Sequence, residues 1–223
     1  VLVVGLHLRS QTNHTLAVER NFFGTLTVTR TGEFTVLTHG TTRHVMQKLG
    51  EPVPNPMMYY HRRGPLGRVF RKPAQTVGVV GLGCGAMSAY AEPGQRWTFF
   101  EIDPAVARIA TDDRFFSFLK TCKVKPEIVI GDARRKLAEV PDGTFDLLAI
   151  DAFSSDAVPV HLLTKEAFAL YLRKLAPQGR LLLHLSNRYL DLPSLTGRVV
   201  GSIDPALTML VENDTATDHS DGK

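Results

Sequence analysis

The feature that most restricts this chain is a run of short apolar segments between residues 77 and 185. Val77-Gly-Val-Val-Gly, Trp97-Thr-Phe-Phe-Glu, Glu127-Ile-Val-Ile-Gly, Phe145-Asp-Leu-Leu-Ala-Ile-Asp and Arg180-Leu-Leu-Leu-His-Leu are each too short to be helices. Helical stretches separate most of them, over Pro104 to Ala110, Ala133 to Glu139 and Thr164 to Leu175. Strands apolar on both faces that alternate with helices build a parallel sheet covered on both sides. The fold class expected is α/β, a Rossmann-like fold of the S-adenosylmethionine-dependent methyltransferase type.

Ahead of this region the period is different. Gly24-Thr-Leu-Thr-Val-Thr and Phe34-Thr-Val-Leu-Thr alternate apolar and polar residues around a Thr31-Gly32-Glu33 turn, the pattern of a β-hairpin. Thr41 to Leu49 is expected as a short helix. Pro52, Pro54 and Pro56 then prevent regular structure until Met57, which makes that stretch the natural boundary. Three parts follow: residues 1–56, an N-terminal β-segment with a proline-rich connection; residues 57–203, a nucleotide-binding catalytic domain; and residues 204–223, a polar tail that is either disordered or stops short of its natural end.

Composition narrows the setting. With 223 residues the chain has room for one sizeable core plus an accessory segment. Cys84 and Cys122 are its only cysteines, too few for a disulfide framework or a thiolate zinc site, so a cytoplasmic location is expected. Residues 1–75 carry ten Lys/Arg against three Glu, a local charge of +7, while the remainder carries −3. No aromatic stacking pattern or nucleic-acid motif accompanies that excess, so a solvated basic face is expected and nucleic acid is not an expected partner. No apolar run approaches the ~18 residues of a transmembrane helix.

The chemistry concentrates at the ends of the core strands. Val79-Val-Gly81-Leu-Gly83-Cys-Gly85-Ala86 reads as G-x-G-x-x-A opening a helix; glycines there allow a tight turn and close approach of a ligand to the backbone. Glu101 ends the next strand 20 residues after Gly81, where a carboxylate accepts hydrogen bonds from both ribose hydroxyls. Asp132, followed by Ala133, ends the third strand, placed to accept from an adenine amino group or simply to cap a helix. The fourth strand end supplies Asp151 and Asp156, two carboxylates suited to a cationic group or a proton, or to capping the next helix. His184, Asn187, Arg188 and Tyr189 follow the fifth strand, where polar residues are more often satisfied locally. A dehydrogenase shares the first two features but needs a second half-sheet or a catalytic domain, for which the residues after Asp151 leave little room.

On these residues the chain resembles the spermidine synthase family of aminopropyltransferases, in particular the bacterial spermidine synthase-like domains often attached to a membrane transporter-like region. The resemblance runs from about Arg20 to Leu192 and rests most on His39-Gly-Thr-Thr-Arg-His-Val-Met-Gln47, Glu101-Ile-Asp-Pro, Gly131-Asp-Ala and Asp151-Ala-Phe-Ser-Ser-Asp156. It implies that Gly81, Gly83 and Gly85 line the nucleoside, that Glu101 holds the ribose, and that Asp132 with Ala133 holds the adenine. Gln47, Tyr60 and His61 match the family's gate residues over the sulfonium and amine sites, with Gln47 on the donor side and Tyr60, His61 and Asp156 on the amine side. Asp151 matches the catalytic carboxylate. The co-substrate implied is decarboxylated S-adenosylmethionine or S-adenosylmethionine, the partner a small-molecule amine, and the assembly a homodimer. No metal is expected, since a sulfonium is already a good leaving group. Val1 to Leu8 then reads as the end of a preceding hydrophobic segment, in a longer membrane-attached protein.

The chain departs from the family at three points. Cys84 stands in the glycine loop where an acid binds the amine of the decarboxylated donor, Tyr60-His61-Arg62 replaces an acid by a base, and the Asp151 loop is longer than usual. A carboxylate-bearing donor with Arg62 or Arg63 as its partner accommodates these changes. A methyltransferase and a non-catalytic module that senses an adenosyl ligand or a polyamine are the alternatives.

Overall fold

The computed structural model describes residues 13–153, 158–185 and 190–214. Two sheets form it. The first is an antiparallel meander of β1 (Asn13–Asn21), β2 (Gly24–Thr31), β3 (Phe34–His39) and β4 (Thr42–Lys48) in sequential order. The second contains β5 (Thr76–Val80), β6 (Arg96–Glu101), β7 (Glu127–Ile130), β8 (Phe145–Ile150) and β9 (Leu175–Leu183), all parallel in the order β7-β6-β5-β8-β9. This is the α/β arrangement expected from the apolar runs.

The expected hairpin is the centre of the larger meander, and the helix expected over Thr41 to Leu49 is instead β4. A nine-residue helix is marginal by itself. The same segment as a strand pairs with the open edge of β3, Val36 against Met46 and Thr35 against Gln47. Gly40 makes the connecting turn in the left-handed region (φ 59°), and Val45 and Gln47 are buried with half-buried Met46 between them, a period of two that a register shift between Val45 and Arg43 interrupts, leaving Arg43 exposed.

The helices are α1 (Pro65–Val69), α2 (Pro104–Thr111), α3 (Ala133–Glu139), α4 (Lys165–Lys174) and α5 (Leu192–Gly201). Their starts follow from capping. Asp103, Asp132, Thr164 and Asp191 each accept a backbone N–H from the first turn that follows. The reading of the sequence contains no counterpart of α5; its polar and glycine content obscures the helical period. None of the helices among the described residues is long and apolar enough to cross a membrane.

The core lies on both faces of the parallel sheet. Val77, Val79, Trp97, Phe99, Leu147 and Ala149 share one apolar cluster with Leu26, Val28, Leu37 and Val45 of the meander. Val80, Phe100, Leu148 and Ile150 pack on the other face with Leu137 of α3 and Phe168 and Tyr171 of α4. A polar tie reinforces the first contact: Asn21 donates to both oxygens of Asp103 at 2.8 Å, in the loop between β6 and α2. The meander therefore rests over one side of the carboxyl edge of the sheet and brings β4 to the glycine loop.

Candidate functional site

Five adjacent strands of a parallel sheet present their carboxyl ends along one edge, and the sheet order determines which residues become neighbours. Across that edge stand Asp132 after β7, Glu101 at the end of β6, Gly81 after β5, Asp151 after β8 and His184 after β9.

Gly81 has φ 97°, and a Cβ at this position would collide with the carbonyl oxygen of Asp151. Glycine is what lets β5 and β8 end this close together. From there the loop turns over Glu101, whose Oε2 accepts from Leu82 N and Oε1 from Asp103 N, both at 2.9 Å. Glu101 is only 7% exposed. Burial pushes its pKa up; hydrogen bonds from the Asp103 and Leu82 amides oppose that shift, and the nearby Asp103 charge adds to it. Each oxygen has a second lone pair beyond the one these amides occupy. Gly83 lies against Val45 of β4, and left-handed Gly85 starts a five-residue 3-10 turn, Ala86–Tyr90. That turn replaces the helix expected to open after the glycines, so an extended helix N-terminus does not face the loop.

Asp132 caps α3 through Oδ1 with Arg135 N at 3.0 Å, and its Oδ2 lies 3.8 Å from His161 Nε2. It is a helix cap in this structure, with one oxygen turned to a histidine, and Ala133 is buried beside it. Gln47 is 6% exposed; its amide donates to Ser117 Oγ at 3.0 Å and its carbonyl accepts from Ser117 N at 2.9 Å. These bonds hold β4 against the chain that follows α2.

Asp151 is the most constrained acid of the group. Its side chain is 5% exposed, Tyr60 O–H donates to Oδ2 at 2.6 Å, and His184 Nδ1 lies 2.7 Å from Oδ1. Tyr60 arrives on a short 3-10 turn, Met58–Tyr60, whose first residue has φ 55° despite being neither Gly nor Asn. Tyr90 O–H donates to the Tyr60 carbonyl at 2.6 Å and fixes the turn. Burial, and next the negative charge of Asp151, push the Tyr60 phenol well above its ordinary value of 10.0. Tyr60 therefore stays protonated and acts as a permanent donor.

Two expected neighbours are placed elsewhere. His61 pairs with Asp214 at 3.1 Å, while Arg68 close by pairs with Glu212 at 2.5 Å. Part of the polar tail thus lies across the Met58–Val69 segment. Arg62 donates to the Ala89 carbonyl at 2.8 Å and lies 5.1 Å over the Tyr90 ring. It lines a groove of about 470 Å³ with Phe70, Arg71, Lys72 and Glu92, beside the amino end of β5. The glycine loop follows the other end of that strand. Cys84 is fully buried, and burial pushes its thiol up, so it contributes no charge to the loop. Asp156, like Asn187, Arg188 and Tyr189, lies outside the described residues, as does Val1 to Leu8.

Reading the sequence undervalued His184 and passed over Tyr59. Tyr59 packs against both Tyr60 and His184 with ring centroids 4.4 Å apart and the rings tilted by 49° and 48°, and it donates to the His44 carbonyl at 2.6 Å. The available signal was positional: His184 ends the fifth strand as Asp151 ends the fourth.

No protein-family model matches the chain. In sequence it is similar to a polyamine aminopropyltransferase of Vibrio vulnificus (strain CMCP6), 34% identical over 112 residues, a match covering 48% of this chain and 36% of that protein. The chain therefore matches about a third of that relative's length. In structure it is similar to the spermidine synthase of Thermotoga maritima, with a TM-score of 0.65 at 14% identity over 86% of this chain and 65% of the other. It is also similar to human methyltransferase-like protein 13 in complex with SAH, with a TM-score of 0.53 at 20% identity over 67% of this chain and 70% of the other. At these identities the two structures establish the Rossmann-like fold.

Proposed function

We propose that this chain is a spermidine synthase-like transferase that moves an aminopropyl or related aminocarboxypropyl group from decarboxylated S-adenosylmethionine or S-adenosylmethionine to an amine, releasing methylthioadenosine. The observation that carries the reading is Asp151, an almost completely enclosed carboxylate held by Tyr60 and His184 beside the Glu101 and glycine-loop crescent. Similarity to an aminopropyltransferase supports it.

In this reading Glu101 receives the two ribose hydroxyls on its remaining lone pairs, and Gly81 and Gly83 let the nucleoside lie against the backbone. The acceptor arrives as an ammonium, since primary amines have pKa values near ~10. Asp151 attracts it and takes one proton, and the freed nitrogen lone pair attacks the carbon next to the sulfonium. The new C–N bond forms as the C–S bond breaks, its electron pair returning to sulfur as a neutral thioether. The positive charge ends on the product nitrogen. Positioning the two reactants supplies much of the remaining rate. Cys84, uncharged and buried, offers the donor's amine no counter-charge, which favours a donor held mainly by its nucleoside.

Mass spectrometry of the nucleoside released from S-adenosylmethionine or its decarboxylated form with a mixture of amines tests this. Methylthioadenosine is expected from the wild type and should fall by at least a hundredfold in Asp151→Asn. Release of S-adenosylhomocysteine refutes the reading in favour of methyl transfer, and binding without any product does so in favour of a sensor.

A further inference from the structure

We infer that His184 is a positioning residue for this chemistry: its Nδ1–H holds Asp151 with one carboxylate edge turned toward the incoming amine. The inference rests on the transferase reading and extends it to a residue on a different strand.

The sheet register carries the first step. Ile150 and Leu183 are partners in the β8–β9 ladder, and His184 N continues it to the Ile150 carbonyl at 3.0 Å. Asp151 and His184 are therefore the next residues of two adjacent parallel strands, set side by side by the backbone. Their side chains meet at 2.7 Å. An ionised carboxylate only accepts hydrogen bonds, so Nδ1 carries the proton in this pair.

The imidazole is held as well as bonded. Tyr59 lies on it at 4.4 Å between centroids and Phe153 meets it edge-on at 4.6 Å, in a slot between two aromatic rings. With Tyr60 on Oδ2 and His184 on Oδ1, neither carboxylate oxygen is free to rotate away. Rotation about the Cβ–Cγ bond of Asp151 would break both bonds together. The lone pair left on each oxygen is thereby held in a defined direction, and a nucleophile needs its proton acceptor in one place. A carboxylate anchored only by Tyr60 would sample several orientations, most of them unproductive.

A packing role and a positioning role make opposite predictions for two substitutions. His184→Phe keeps the ring between Tyr59 and Phe153 and removes the donor. His184→Asn puts an amide N–H close to the position of Nδ1 and gives up the ring. The full chain carrying each change is assayed for methylthioadenosine release, with donor KM and kcat separated. Positioning predicts that His184→Phe lowers kcat by roughly tenfold to a hundredfold, the worth of one hydrogen bond to a charged group, with donor KM unchanged. His184→Asn should recover most of that loss. A Phe variant as active as the wild type, or an Asn variant worse than Phe, overturns the inference.

A second measurement does not depend on turnover. Nitrogen NMR of the imidazole in the wild type should show the Nδ1–H tautomer, reverting to Nε2–H in Asp151→Ala. A wild type that yields no methylthioadenosine removes the transferase reading. The nitrogen shifts then decide by themselves whether the imidazole holds Asp151, and an Nε2–H tautomer in the wild type overturns it.

Discussion

Replacing Glu101 by Gln should change ligand affinity and the pH dependence of stability through separate physical effects. Glu101 accepts two backbone N–H bonds at 2.9 Å with 7% exposure. An amide preserves one acceptor and turns an NH2 toward the other N–H, leaving a buried donor without a partner at a cost of about 1–3 kcal/mol. A carboxylate at the same position carries a different liability. Burial raises its pKa above the ordinary 4.5, so the folded protein binds that proton more tightly than the unfolded chain. The associated stability is complete below the unfolded value and is lost as pH rises through the raised folded value. Gln has no such dependence. The stability advantage of the wild type over Glu101→Gln should therefore shrink as pH is raised from about 4 toward neutrality. Ribose binding behaves differently. Two hydroxyl bonds to a charged acceptor contribute about 1.5–3 kcal/mol each, and an amide oxygen retains about 1 kcal/mol of this. The net loss is about 2–5 kcal/mol, or on the order of 30- to 4,000-fold in Kd. Calorimetric titration with methylthioadenosine and urea unfolding across pH measure both quantities. Binding within threefold of the wild type, or a stability difference that widens with pH, would refute the reasoning.

The tie between the two sheets should be measurable without any ligand. Asp103→Ala removes the acceptor of Asn21 and the cap on Ala105 and should cost about 2–3 kcal/mol, against about 1 kcal/mol for Asn21→Ala, by urea unfolding; equal costs would contradict a capping contribution from Asp103 beyond its contact with Asn21. Cys84 is fully buried with its thiol pushed up, while Cys122 is only partly buried, so iodoacetamide on the native protein should label Cys122 well before Cys84, and equal rates by peptide mass spectrometry would sink that account.

Periodicity in the chain was sufficient for the parallel sheet, because a strand buried on both faces must be apolar whichever neighbours it receives. It was also sufficient for Gly81, Glu101, Asp132 and Asp151, which occupy strand ends, and strand ends lie on one edge in any parallel α/β sheet. Local pattern failed where a neighbour made the decision. Thr42–Lys48 became a strand because β3 had an open edge to fill, and Arg62 was drawn to the Ala89 carbonyl and the Tyr90 ring instead of the donor loop. Tyr60 is 91 residues from Asp151 and His184 is 33 away. The sequence by itself determined which residues end strands and which faces are apolar, since both depend on each segment's own burial. Only the tertiary structure decided that a tyrosine and a histidine would hold one carboxylate, because that depends on strand order and register, which are properties of the assembled sheet and of no single segment.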